Sequence, residues 1–274
     1  MNTILQKEVK ATLSTILITG GTSGIGEGLA KHFLAAGDQV IIVSRNKGNL
    51  KNAIYIQADL SLVSENYRLV KTIQESYGTI DGLILCAVVQ TARKNVLITT
   101  EDLEFTFALQ YLSRYILSHQ IPFSENSFIL NVATPGRKGT VDFANLEYRH
   151  KFSSLKANIH ANRLNDLLGV GFEGSSRYLL YSPMSVKTEG AKSAFANPLM
   201  STFLKVWHTL FGHDVDEIVN KIVTVLQQSS SEKFSAYELS TPVNLSMKTF
   251  NLQNAKRLNQ LTEELLINTI NDHG

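Results

Sequence analysis

Short apolar runs alternate with longer stretches of three- and four-residue periodicity along the chain. The runs are rich in β-branched residues and are bounded by turn residues, which is typical of buried parallel strands. Strands are predicted at 16–18, 39–44, 53–57, 81–84, 127–132 and 177–181. Helices are predicted at 25–37, 67–77, 100–119, from 152 onward, and at 199–211, 214–228 and 252–270. This alternation predicts an α/β fold, a single domain with a doubly wound parallel sheet and helices on both faces.

A glycine-rich turn joins the first predicted strand to the first predicted helix. Its sequence, T-G-G-T-S-G-I-G, covers residues 19–26. A helix that starts directly after a strand leaves its first N–H groups unpaired, and these groups with the helix dipole form a site for phosphate. Gly20 permits the tight turn, Gly24 lets the backbone approach a pyrophosphate, and Gly26 lets the helix pack on the strand. The turn therefore predicts nucleotide binding, with an ordinary strand–helix turn as the alternative.

The composition is typical of a globular protein. The chain has 274 residues, of which 43% are apolar and 18% charged, enough for one sizeable core. A formal net charge of +2 gives no electrostatic reason to bind nucleic acid or an anionic membrane surface. No apolar run is long enough to span a bilayer, no His and Cys residues have metal-ligand spacing, and the one cysteine excludes an internal disulfide. We expect a cytoplasmic protein that acts on a small molecule.

The spacing T-G-x-x-x-G-I-G resembles the short-chain dehydrogenase/reductase family. The resemblance implies one Rossmann-like domain over residues 1–274 that binds NAD(H) or NADP(H). It also implies a substrate-side lid and C-terminal helices over about 190–274, and a homo-oligomer. The long connection at 139–146 and the apolar stripe of the last predicted helix are similar to the retinol-dehydrogenase-like branch of the family. The aromatic residues of 199–211 would line a lipophilic pocket or belong to the core.

The end of the second predicted strand bears on the choice of cofactor. An acidic residue there would bind the 2′-hydroxyl of NAD and repel a 2′-phosphate. The sequence has Ser44, Arg45 and Asn46 instead. Arg45 can pair with a 2′-phosphate and Ser44 offers a hydroxyl, so NADP(H) is favoured over NAD(H). The alternative is an exposed arginine in a surface turn.

The resemblance implies further cofactor contacts after the other strands. Asp59 follows the third strand, where the family commonly contacts the adenine. Residues 85–88 stand where the family has N-N-A-G and keep only its alanine. Cys86 in this segment is either a reactive thiol or, as we favour, a small buried apolar residue. The expected cofactor contacts are Gly20, Thr22, Ser23, Gly24, Ile25, Gly26, Ser44, Arg45, Asn46, Asp59, Leu60, Cys86, Ala87, Lys156, Pro183, Val186 and Thr188.

The resemblance also implies a Ser/Tyr/Lys active site, which this chain keeps only in part. Thr134 stands where the family has the serine that hydrogen-bonds the substrate oxygen. In the family's Y-x-x-x-K, Lys156 keeps the lysine, but Phe152 replaces the tyrosine and cannot exchange a proton. Tyr148 and His150 lie upstream as substitute proton donors, without the four-residue spacing to the lysine. An engineered Tyr-to-Phe replacement would give the same pattern, although the departures at neighbouring motifs indicate drift of the whole site.

Two other positions depart from the family pattern. Gln110 falls where members often carry an Asn that holds a water in the proton relay, and its alternative role is an ordinary polar residue on a helix face. Met184 replaces the glycine of P-G-x-V-x-T. The expected catalytic residues are thus Thr134, Phe152, Lys156 and Gln110. Two hypotheses follow: an NADP(H)-dependent oxidoreductase with weak activity or an unusual proton donor, and a catalytically inactive nucleotide sensor, scaffold or partner subunit.

Overall fold

One central sheet carries the fold. The computed structural model describes residues 13–89, 93–184, 214–228 and 232–273. Its strands are β1 (Thr15–Thr19), β2 (Gln39–Ser44), β3 (Ile54–Gln57), β4 (Ile80–Leu85), β5 (Phe123–Val132), β6 (Arg177–Ser182), β7 (Phe234–Glu238) and β8 (Thr241–Pro242). They lie in the order β3-β2-β1-β4-β5-β6-β7-β8, and each neighbouring pair is parallel except β7 and β8. The doubly wound parallel sheet is confirmed, whereas β7 and β8 were not predicted.

Helices cover both faces of this sheet, as predicted. They are α1 (Gly24–Ala35), α2 (Val63–Tyr77), α3 (Phe105–Phe107), α4 (Ser113–Gln120), α5 (Ser154–Val170), α6 (Val215–Gln227) and α7 (Leu252–His273), with a π-helical turn at Ala108–Leu112 and a 3₁₀ turn at Lys248–Phe250. Helices α1 and α6 pack on one face, and α2, α4, α5 and α7 pack on the other. The predicted helix at 199–211 lies outside the described residues.

Alternation of side chains along the strands produces these two cores. In β1, Ile16 and Ile18 point into the layer under α1 and α6, while Leu17 points into the opposite layer. All three side chains are at most 1% exposed. A strand buried on both faces needs apolar residues at every position, which is why these strands form continuous apolar runs in the sequence.

The helix predicted from Thr100 begins later, at Phe105. The Thr99 hydroxyl accepts hydrogen bonds from two backbone N–H groups, those of Glu101 at 3.3 Å and Leu103 at 3.2 Å, which hold a turn in place of the first helical residues. Glu104 then caps the helix, because its carboxylate accepts from the N–H of Phe107 at 2.8 Å.

Helix α5 also begins later than predicted. Lys151 has a φ of +53° and Ser153 is extended, at φ −149° and ψ 123°, so the first helical residue is Ser154. Phe152 therefore precedes the helix, and it does not share a helix face with Lys156.

Within the described ranges, we find no helix whose apolar stretch is long enough to cross a lipid bilayer. The longest helix, α7, buries Ala255, Leu258 and Leu266 against the sheet layer and exposes polar residues between them. Its apolar stripe therefore packs on the protein core, one of the two roles that an amphipathic helix can have.

Candidate functional site

A cleft of about 720 Å³ opens at the carboxyl ends of the strands. It spans the point where the strand order reverses between β1 and β4, the usual position of a ligand site in such sheets. Its volume lies in the range of small-molecule and cofactor sites. The predicted residues that line it are Gly20, Thr22, Ser23, Gly24, Ile25, Gly26, Ser44, Arg45, Asn46, Asp59, Leu60, Cys86, Ala87, Gln110, Thr134 and Pro183. Phe152 and Lys156 do not line it, and Val186 and Thr188 lie outside the described residues.

The glycine turn has the close contacts that its sequence predicts. Gly20 has a φ of +70°, and a Cβ there would come within 2.9 Å of the Ala87 backbone. At Gly26 a Cβ would collide with the carbonyl oxygen of Gly20. Ser23 is extended, precedes α1 and makes no capping hydrogen bond through its side chain. The turn thus leaves an open cradle at the positive end of α1, and this cradle fits a pyrophosphate.

The β2 end of the cleft presents one cation. The Arg45 side chain makes no hydrogen bond or ion pair with any described residue, while its backbone is fixed by Gln57, whose amide donates to the Arg45 carbonyl at 2.7 Å. The Ser44 hydroxyl donates to the Asn46 carbonyl at 2.6 Å, so its proton is already committed. Arg45 is therefore the group at this end that can pair with an anionic ligand.

Asp59 has a structural partner of its own. One of its carboxylate oxygens accepts hydrogen bonds from the backbone N–H of Ser61 at 3.0 Å and from the Ser61 hydroxyl at 2.7 Å. The carboxylate is held in a turn that orders the chain between β3 and α2. Its contact with an adenine remains a prediction.

Helix α5 places Asn162 in the cleft lining and Asn158 against Gln110 beside it, in place of the predicted pair. Lys156 is exposed, and Phe152 is half-buried ahead of the helix. Asn162 lines the cleft, and its amide oxygen accepts from the backbone N–H of Thr134 at 3.0 Å. Asn158 lies one turn earlier and accepts from the amide nitrogen of Gln110 at 2.9 Å. Asn158 and Asn162 have the four-residue spacing of Y-x-x-x-K, and the sequence analysis missed both.

The π-helical turn explains how these amides are anchored. A π-helical turn interrupts the regular backbone hydrogen bonds of a helix. Gln110 lies in this turn, and its carbonyl oxygen accepts a hydrogen bond from the Asn165 amide at 2.7 Å. Asn165 in turn accepts from the Asn131 amide at 2.8 Å. A continuous set of amide hydrogen bonds therefore joins β5, the π-helical turn and α5 beside the cleft. None of these side chains titrates, so they orient their neighbours without exchanging protons.

Thr134 has a free hydroxyl but a constrained backbone. It is exposed and lines the cleft, and no described group is hydrogen-bonded to its hydroxyl. Its carbonyl accepts from the guanidinium of Arg163, which also binds the Arg137 carbonyl and pairs with Asp166 at 3.2 Å. Burial raises the pKa of Asp166 to about 7, with Arg163 and the Thr249 hydroxyl opposing that rise. This buried cluster fixes the loop that presents Thr134.

Two more side chains line the cleft at the ends of β4 and β5. Burial raises the pKa of the Cys86 thiol to about 12, so the thiol stays protonated and is a poor nucleophile at neutral pH.

Arg114 is 4% exposed and was missed by the sequence analysis. An arginine in an otherwise apolar helical stretch, one turn after Gln110, is the signal that would have found it.

The loop between β5 and α5 is fixed by a neutral histidine. The ring nitrogen Nε2 of His160 accepts from the backbone N–H of Asp142 at 3.0 Å, and this bond requires that nitrogen to be unprotonated. Burial lowers the pKa of His160 to about 4. Tyr148 packs against the His160 ring, with 5.3 Å between ring centroids. Neither Tyr148 nor His150 lines the cleft.

Met184, at the β6 end of the cleft, has a φ of +57°. This left-handed conformation is the one that glycine adopts without strain, so the backbone keeps a geometry suited to the glycine of the family pattern although the residue is methionine. The Met184 sulfur contacts the guanidinium of Arg137 at 2.7 Å, and Arg137 also pairs with Glu238.

Comparison with known proteins supports one family. Residues 14–127 match the family model described as short chain dehydrogenase. An uncharacterized oxidoreductase of Saccharomyces cerevisiae is 33% identical over 109 residues, which are 39% of this chain and 35% of that protein. A hydroxysteroid 11-beta-dehydrogenase 1-like protein of Gallus gallus is 32% identical over 82 residues, 26% of this chain and 29% of that protein. The matched segments thus span about a third of these relatives.

Solved structures match over more of the chain. The 3-alpha-hydroxysteroid dehydrogenase of Pseudomonas sp. B-0831, complexed with NADH, gives a TM-score of 0.65 at 19% identity and covers 87% of this chain and 100% of that one. A short chain dehydrogenase of Burkholderia cenocepacia J2315, in complex with NADP, gives 0.61 at 17% identity, with coverages of 84% and 97%. At these identities the likeness establishes the fold.

Proposed function

We propose that this chain is a member of the short-chain dehydrogenase/reductase family, whose model matches residues 14–127, and that its cleft binds NADP(H). We propose further that it is a slow oxidoreductase, acting on a carbonyl or alcohol of a small, fairly apolar molecule. The cofactor assignment rests on two features of one cleft. These are the open glycine cradle at the start of α1 and Arg45 at the β2 end. Solved structures of this fold are complexed with NADH or NADP, which supports a dinucleotide as the ligand.

The phosphate chemistry favours NADP(H) over NAD(H). Arg45 has an uncommitted guanidinium, which can form two parallel hydrogen bonds with a 2′-phosphate. The Ser44 hydroxyl donates to a carbonyl, so this side chain is a poor donor for a phosphate. We therefore assign the 2′-phosphate contact to Arg45 alone, where the sequence had offered both residues.

The cleft orients a substrate better than it supplies a proton. A bound NADPH would supply the hydride, as in the family, while the Thr134 hydroxyl is free to donate a hydrogen bond to the reacting oxygen. Asn162 holds Thr134 through its backbone. The face of α5 that would carry the family's acid presents Asn158 and Asn162, and an amide gives up no proton at neutral pH. Protonation by water is then the slow step of any reduction.

A second function is favoured by the amide hydrogen bonds themselves. Gln110 and Asn158 are bonded to each other and to backbone groups, which holds this pair rigidly where the family has a proton relay. A rigid pair that exchanges no protons suits a protein that binds the nucleotide and changes its interactions with a partner without turnover. We place this sensor or partner-subunit function second.

The remaining features of the proposal concern the whole chain. We propose one domain, with cytoplasmic localisation, a small-molecule ligand, no nucleic acid and a homo-oligomeric state by analogy with the family. The near-neutral net charge of +2 supports the absence of a nucleic-acid partner, and the unpaired Cys86 supports a reducing compartment.

A titration of the purified protein with NADPH and NADH, followed by a panel of aldehydes and ketones, tests the proposal. We expect NADPH to bind more tightly than NADH and to be oxidised slowly on the panel. Tight binding without oxidation selects the sensor function. The absence of binding by both nucleotides would refute the cofactor assignment.

A further inference from the structure

Arg114 is a buried cation in the floor of the cleft. One of its terminal guanidinium nitrogens donates to the Asn131 amide oxygen at 2.5 Å and to the Val132 carbonyl at 2.9 Å. The other donates to the Ala87 carbonyl at 3.3 Å. The Nε atom is buried without a hydrogen-bond partner. The guanidinium therefore lies between the carboxyl ends of β4 and β5, the two central strands at this end of the cleft.

Within the described part of the chain, the charge of Arg114 has no acidic partner. No ion pair joins it to a described carboxylate, and its hydrogen bonds go to neutral carbonyl and amide oxygens. Burial raises the pKa of its titratable neighbours Cys86 and Tyr178 to about 12 each, so both are neutral at pH 7. Burial also lowers the pKa of Arg114 to about 10, which still leaves the side chain charged.

The other charged groups of the described chain that line the cleft do not offset this cation. Arg45 lies at the opposite end, beyond β2, and Asp59 is held in the turn after β3. Glu27 pairs with Lys31 at 2.8 Å on α1. Among the described residues, the β4–β5 end of the cleft is consequently positive, and the 4% exposure of Arg114 limits the screening of its charge.

We propose that Arg114 makes the cleft selective for the reduced form of the dinucleotide. This inference rests on the proposed NADP(H) binding, in which the glycine cradle holds the pyrophosphate and the nicotinamide lies toward β4 and β5. The oxidised nicotinamide ring carries a positive charge and the reduced ring carries none. The phosphates are the same in both forms, so the repulsion between Arg114 and the oxidised ring is the main electrostatic difference between them.

This selectivity gives the cation a function that Lys156, exposed and off the cleft, cannot have. Under the oxidoreductase function it would retain the hydride-donating form of the cofactor in the cleft. Under the sensor function, the fraction of the protein with bound cofactor would depend on the ratio of reduced to oxidised cofactor. Both follow from differential binding of two states of one ligand.

The test compares dissociation constants for NADPH and NADP⁺ by calorimetry, which needs no turnover. For the wild-type protein we expect NADPH to bind about tenfold more tightly than NADP⁺. Arg114→Gln keeps an amide that can donate to the strand-end carbonyls but removes the charge, and it should bring the two affinities within about threefold of each other. Arg114→Lys keeps the charge and should keep the preference. Arg45→Ala is the matched control, since it should weaken both forms equally.

The outcomes separate this inference from the function on which it rests. If the wild-type protein binds neither nucleotide, the proposed function fails and the inference fails with it. Equal affinities of the wild-type protein for the two forms would overturn the inference alone, and this measurement requires no variant. An unchanged preference in a folded Arg114→Gln protein, checked by circular dichroism, would overturn it as well.

Discussion

The placement of α5 can be tested by moving the family's tyrosine and lysine to two alternative sites. Sequence spacing puts them at 152 and 156, where only the tyrosine is missing. The structure instead places Asn162 in the cleft lining and Asn158 against Gln110 beside it, and it leaves Lys156 exposed. We therefore expect Phe152→Tyr to leave carbonyl reduction at the wild-type rate, and the double variant Asn158→Tyr, Asn162→Lys to raise it.

The size of the gain follows from two opposing effects. A positioned general acid contributes about 10²- to 10⁴-fold. The double variant also loses two hydrogen bonds, which opposes this gain. The Gln110 amide donates one to Asn158 at 2.9 Å, and the Thr134 N–H donates the other to Asn162 at 3.0 Å. Each is worth about 1 kcal/mol, or about fivefold if the whole loss falls on the positioning of the reacting groups. A net increase of at least about fourfold in kcat/KM should remain.

The assay is the loss of NADPH absorbance with a panel of ketones and aldehydes, at matched protein concentration. Asn158→Phe with Asn162→Lys serves as the control, because it has the same bulk and charge without the hydroxyl and should stay at the wild-type rate. A gain in Phe152→Tyr as large as that in the double variant would refute this placement of α5.

Three further changes test other parts of the structure. Arg45→Ala should weaken NADPH binding about tenfold or more while leaving NADH nearly unchanged, and equal losses in calorimetric titrations would contradict the 2′-phosphate contact. Met184→Gly should raise the free energy of unfolding by about 0.5 kcal/mol, because relief of left-handed strain exceeds the entropy cost of glycine; Met184→Ala keeps the strain and should show no gain in urea denaturation. His160 binds protons less readily when folded, with its pKa lowered to about 4, so its stabilising contribution is present above its unfolded value near 6.5 and is lost as the pH falls toward 4. The wild-type protein should lose about 3 kcal/mol of stability relative to His160→Gln across that interval, and parallel pH profiles would contradict the neutral histidine.

The sequence by itself determined the parts of this protein that are encoded within a few neighbouring residues. The apolar runs predicted the parallel strands, because a strand buried on both faces needs apolar side chains at every position. The glycine turn predicted the cradle, because a Cβ at Gly20 or Gly26 would meet backbone atoms. Arg45 at the end of β2 was likewise identified from its place after a strand, and it does line the cleft.

Tertiary structure decided which side chains of the later elements reach the cleft. The start of α5 depends on the backbone at Lys151 and Ser153, which leaves Phe152 ahead of the helix and off any helix face that Lys156 occupies. A four-residue motif could not show this, since Phe152 with Lys156 and Asn158 with Asn162 have the same spacing. The environment of Arg114 likewise arises only when the ends of β4 and β5, far apart in sequence, are brought to either side of its guanidinium.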